Sequence, residues 1–128
     1  MRKYVAFTSI VLVLSFLLSS CGSSSRPVIV MEEYLDALVS KDGIRISTLS
    51  CADWTPNATT EMNSFQGVTA DLRDLACEIT GMEGDITLVV CSGSIVTTYN
   101  DEQQQIDLSV RTYQVVEQGG EYLVCGYR

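Results

Sequence analysis

The sequence predicts an α+β domain in which N-terminal helices pack on a four-stranded antiparallel meander. Three observations carry this expectation. Between Pro27 and Ser40 the apolar residues recur at helical spacing. From Leu72 onward, runs rich in valine, isoleucine, threonine and tyrosine are divided by turn residues at regular intervals. Those turns are only three or four residues long, and connections that short join antiparallel neighbours, not parallel ones.

The chain opens with Met1, Arg2 and Lys3, an apolar run from Val5 to Leu18, and then Ser19, Ser20 and Cys21. A basic start, a short apolar centre and a small-residue end make residues 1–20 a secretory signal peptide. The alternative, a membrane-spanning anchor, is disfavoured because the apolar run falls short of the about 20 residues that a spanning helix needs. Gly22 to Arg26 reads as a flexible tether, since glycine and serine add reach without order. Residues 27–128 then form a single domain, with room for one modest core.

Within the domain, Val28, Met31, Leu35 and Leu38 form one apolar stripe, with Glu32, Glu33 and Asp36 turned to water. Pro27 suits the first turn of this helix and Asp42-Gly43 suits its end. Ile44 to Cys51 is read as a second helix capped by Asp42, with Ile44, Thr48 and Leu49 near one face; a strand is the alternative. Ala52 to Gly67 is turn-rich around Asp53-Trp54-Thr55-Pro56-Asn57, with a short helix over Thr60 to Phe65. Four strands follow, at Leu72 to Thr80, Ile86 to Tyr99, Gln104 to Val116 and Glu121 to Arg128.

The whole chain holds 8 basic and 16 acidic residues, a formal charge of −8. Without residues 1–20, and so without Arg2 and Lys3, that charge becomes −10. Such a surface repels phosphate backbones and excludes nucleic acid as a partner. It also repels anionic lipid, which leaves covalent attachment as the route to a membrane.

Five cysteines are present and no histidine. Cys51, Cys77, Cys91 and Cys125 are an even set in a chain bound for an oxidising compartment, which implies two disulfides. Zinc is the weaker reading, with no histidine and no closely spaced cysteine pair. The hairpin centred near Gly84 sets Cys77 opposite Cys91. Cys91 and Cys125 fall two strands apart, farther than the about 7 Å that a bridge tolerates between Cα atoms. The expected pairs are therefore Cys77–Cys91 and Cys51–Cys125.

Leu18-Ser19-Ser20-Cys21 resembles the lipobox of bacterial lipoproteins. The resemblance implies that the Cys21 thiol is diacylated, that cleavage falls just before it, and that the protein is held by its lipid in the bacterial cell envelope, extracytoplasmic. Two or three acyl chains anchor stably where one does not.

"EEYLDALVSKD" (32–42) resembles the first-helix signature of the nuclear transport factor 2 superfamily, and "RTYQVVEQGGEYLVCGYR" (111–128) its terminal hairpin. This resemblance implies a cystatin-like cone, in which helices pack on a curved four-stranded meander. Such cones often leave a cavity, and Tyr34, Trp54 and Tyr113 are the candidates to line it, although aromatic residues in so small a core are more often packing. Steroid isomerases of the superfamily carry a tyrosine on the first helix, where Tyr34 stands. Their aspartates are not matched: Asp53 is the only nearby acid, and Asp107 alternates with Ile106 and Leu108 toward water. No catalytic residue, metal ligand or cofactor is expected. Serine or cysteine nucleophiles would lack a histidine base, and no glycine-rich phosphate loop is present.

The function expected is thus a non-catalytic binding or protein-interaction module anchored through Cys21. Its partner is an envelope protein or a small apolar ligand, and pairing of two copies through the convex face of the sheet stays open. The alternative is a small-molecule binder or isomerase-like enzyme using the cone.

Overall fold

A computed structural model describes residues 25–128; the expected signal peptide, Cys21 and most of the expected tether lie outside the described residues. Three helices precede an antiparallel sheet of five strands. Helix α1 spans Arg26–Ser40, with Pro27 in its first turn, and buries Val28, Met31, Leu35 and Leu38, the stripe expected from their spacing. Val30, Tyr34 and Ala37 widen that face. The helix ends at Lys41, in the left-handed region at φ 59°, one residue before the expected Asp42-Gly43 stop.

Asp42 caps the second helix, α2 (Gly43–Leu49), by accepting from the Arg45 N–H at 3.1 Å. Its buried face corrects the expected one. Ile46 is fully buried while Ile44 is 79% exposed, because over two turns the face toward α1 comes round at Ile46 and, half-buried, at Leu49. Helix α3 covers Thr55–Asn63, beginning five residues before the expected Thr60, with Pro56 in its first turn. It buries Ala58 and Met62.

Strands β1 (Thr69–Glu83) and β2 (Ile86–Tyr99) form one long hairpin. The third strand departs from expectation: in place of Gln104 to Val116 stand β3 (Glu102–Asp107), a 3-10 turn over Leu108–Val110, and β4 (Thr112–Gln118). Both β3 and β4 pair with β2, so the expected four-strand count becomes five. The cause is a phase slip in the side-chain alternation. Ile106 and Leu108 face inward at even positions and Tyr113 and Val115 at odd ones, and a pleated strand changes phase only where its regular pairing is interrupted, here by the 3-10 turn. Asp107 stabilises that turn by accepting from the Ser109 N–H at 2.8 Å and its hydroxyl at 2.7 Å. β5 (Glu121–Tyr127) closes the sheet against β4.

The helices cover one face, and the core gathers Met31, Leu35, Leu38, Ile46, Val89, Ile95, Leu108, Val115 and Val124. At one edge, Ser50 bridges to Val124, and the Cys51 N–H donates to the Val124 carbonyl at 2.9 Å. At the other, Glu32 leaves the water-facing role expected of it and accepts from the Cys77 N–H of β1 at 3.4 Å. The outer edges of β1 and β5 thus each receive a hydrogen-bond partner from the helical layer.

Candidate functional site

The two cysteine pairs stand as the meander argument required. Cys77 and Cys91 are direct partners in the β1–β2 register, with Cα atoms 4.0 Å apart. Cys51 and Cys125 lie 5.0 Å apart, joining the helical layer to β5. Both are at disulfide distance.

Tyr34, Trp54 and Tyr113 are brought together, but as packed rings. Tyr34 on α1 and Tyr113 on β4 are both fully buried and meet edge to face, ring centres 6.5 Å apart. The half-buried Trp54 donates from Nε1 to the Tyr34 hydroxyl at 3.0 Å. Tyr127 on β5 packs edge-on against both Trp54 and Tyr113, at 5.5 and 5.6 Å. Gly126 lies beside the indole at φ 146°, a conformation that residues with a side chain rarely adopt, although a methyl group there would make only ordinary contact with the Trp54 ring, at 3.6 Å.

An ion pair borders the rings. Arg111, just before β4, lies 4.2 Å over the Tyr127 ring and forms a salt bridge with Glu61 on α3. The other carboxylate oxygen of Glu61 and the Tyr113 hydroxyl are buried without hydrogen-bond partners; the hydroxyl stands beside the Arg111 guanidinium, outside good hydrogen-bonding geometry. Neither Glu61 nor Arg111 was singled out in the sequence. A half-buried arginine needs a partner, yet the two lie 50 residues apart, and nothing local at Glu61 separates it from other helix-face acids. Tyr127 had a signal, its alternation with Cys125.

Burial pushes the Tyr34 hydroxyl well above the ordinary tyrosine range, its bond from Trp54 only partly offsetting the rise. Tyr113 is raised by burial as well, partly offset by Arg111. Burial works against the charge on Arg111, but the bond to Glu61 outweighs it, so the guanidinium stays charged. Near neutral pH the site therefore holds two neutral phenols and one neutralised ion pair. That chemistry suits clamping α3 to the sheet better than moving protons.

The acids weighed from the sequence sit apart from this cluster. Asp53 is exposed in the turn before α3. Asp107 is exposed at the 3-10 turn, where its bonds from Ser109 lower its pKa. Hollows of about 340 to 440 Å³ open on the surface, lined by residues other than the three aromatic candidates. Among the described residues, no three histidine, cysteine or acidic side chains gather as a metal site, and no helix is long and apolar enough to cross a membrane. Compared with models of protein families, with curated proteins and with solved structures, the chain gives no match.

Proposed function

We propose that the chain is a lipoprotein of the bacterial cell envelope, anchored through acyl chains on Cys21. Its extracytoplasmic domain is a non-catalytic protein-interaction module, and the finer form of the fold is the cystatin-like cone. One observation carries the reading. Cys51, Cys77, Cys91 and Cys125 are taken up in two pairs at disulfide distance, which leaves Cys21 as the one odd cysteine, directly after an apolar leader. Paired cysteines suit an exported chain, and an odd one in the sequence Leu-Ser-Ser-Cys suits lipidation.

The non-catalytic reading draws on the chemistry of the aromatic cluster, whose hydroxyls keep their protons and whose carboxylate is paired with Arg111. The cone draws on the order of elements, helices first and then a long bulged hairpin that opens an antiparallel sheet.

Intact-mass spectrometry of the chain purified from a bacterial membrane tests the anchor. The expected species begins at Cys21, carries acyl chains, and is four hydrogens lighter than its fully reduced form. A Cys21→Ser variant is expected to lose the acyl mass. A wild-type species without acyl chains overturns the lipoprotein reading. A small molecule retained under native conditions overturns the protein-interaction reading in favour of a ligand carrier.

A further inference from the structure

The domain has two dissimilar ends, and the tether leaves from one of them. Two hydrogen bonds set the direction of α1 against β1: Lys41 Nζ donates to the Val68 carbonyl at 2.6 Å, and the Cys77 N–H donates to Glu32 at 3.4 Å. The helix thus runs antiparallel to the strand. From Glu32 back to Arg26 it covers about 9 Å, while from Cys77 on to Glu83 the strand covers about 20 Å. Residue for residue the strand advances farther than the helix, so the β1–β2 hairpin extends past the start of α1.

The β4–β5 turn lies at the same end. Met82, Gly84, Gly119, Gly120 and Tyr122 line one hollow of about 410 Å³, and Tyr122 also lines the next hollow with Arg26. Both hairpin tips and the helix start thus surround Tyr122. The β2–β3 turn stands at the opposite end, beside Val68 and Lys41, since Thr69 pairs with Thr98.

Covalent geometry fixes how far this end can stray from Cys21. Four peptide units separate Cys21 from Ser25, so their Cα atoms lie no more than about 15 Å apart. The polar layer of a bilayer is itself about 5–7 Å thick on each side. We infer, on the lipoprotein reading of Cys21, that the hairpin-tip end rests against the bilayer, with Met82 as its leading apolar contact, and that the β2–β3 turn is held away from it. Met82 is 67% exposed and Ile79, farther back on β1, 42%. Glu83 beside Met82 is paired with Arg128, while Asp85, Glu117 and Glu121 flank the tips against Arg26, so the surface met is zwitterionic lipid and the contact is apolar.

The test places a tryptophan at each end, as M82W and Y99W, in the acylated protein reconstituted into phosphatidylcholine vesicles that carry a lipid-borne quencher. The parent protein supplies the Trp54 background. Quenching of the added tryptophan is expected to be at least twofold greater at 82 than at 99; equal quenching, or greater quenching at 99, overturns the orientation. The lipidation reading fails separately, by an intact mass without acyl chains. In that case residues 21–128, oxidised, are coupled through Cys21 to a maleimide lipid, and the same ratio decides the orientation.

Discussion

Tyr34 joins the core to the polar cluster. Its ring is fully buried between α1 and β4, yet its hydroxyl accepts from the Trp54 indole. Burial raises its pKa and that of Tyr113, so both folded phenols keep their protons at pH values where the unfolded chain, titrating near 10, gives them up. Below pH 10 both states are protonated and nothing is lost; above it, each of these tyrosines costs up to about 1.4 kcal/mol per pH unit. The urea midpoint is expected to fall between pH 9 and pH 11, and Tyr34→Phe to flatten that fall while costing about 1 kcal/mol at pH 7 for the acceptor withdrawn from Trp54. An unchanged slope would mean that Tyr34 reaches water. Glu61→Ala leaves the Arg111 guanidinium half-buried without its carboxylate and is expected to cost about 2 kcal/mol, read from the same denaturation curves.

Elements built on a strict repeat were legible in the sequence, and those built on a contact were not. The stripe of α1, the β1–β2 hairpin and both cysteine pairings follow from periods of 3.6 and 2 and from counting strands. The split of the third strand was also written there, in the move of apolar positions from Ile106 and Leu108 to Tyr113 and Val115, but it was read as one alternation. Glu32 reads in the sequence as a solvated acid and Glu61 carries no signal there, because only the folded chain brings a strand amide to the one and an arginine to the other. The bulge in β1 belongs to the second kind. Its register shifts between Arg73 and Ala76, Asp74 takes φ 53°, and Gly93 on β2 takes φ 96° directly beneath it. A Cβ at Gly93 would lie 2.6 Å from the Asp74 carbonyl oxygen and closer still to that of Arg73. Gly93→Ala is therefore expected to cost about 2 kcal/mol or more, whereas Gly67→Ala, with open space around it, is expected to change little. The bridges differ by the loops they close. Cys51–Cys125 spans 74 residues and Cys77–Cys91 spans 14. Removing the first with paired serines is expected to cost about 4 kcal/mol and the second about 3. The reverse order in guanidinium midpoints would show that the local bridge holds the sheet more than loop closure implies.

At the scale of the whole molecule, charge opposes compaction. Residues 25–128 hold six basic and sixteen acidic side chains. Three of the cations are engaged in ion pairs: Arg45 with Asp36, Arg111 with Glu61, and Arg128 with Glu83. A fourth, Lys41, is bonded to a backbone carbonyl, so thirteen carboxylates are left with little to offset them. Two of the three pairs are exposed, so solvent screening leaves each of them little to contribute. Mutual repulsion therefore outweighs them, and salt screens repulsion spread over distances beyond about 10 Å more than it weakens pairs in contact. The thermal midpoint at pH 7 is expected to rise by a few degrees between 0.01 M and 0.5 M sodium chloride. The same balance sets a limit on the acid side. Arg128 holds Glu83, and Ser109 holds Asp107, below the ordinary carboxylate range, so whatever these groups contribute is present above about pH 4 and lost as pH falls through their folded values. A midpoint that falls with salt at pH 7 would mean that the ion pairs, Arg111–Glu61 above all, dominate the field of the domain.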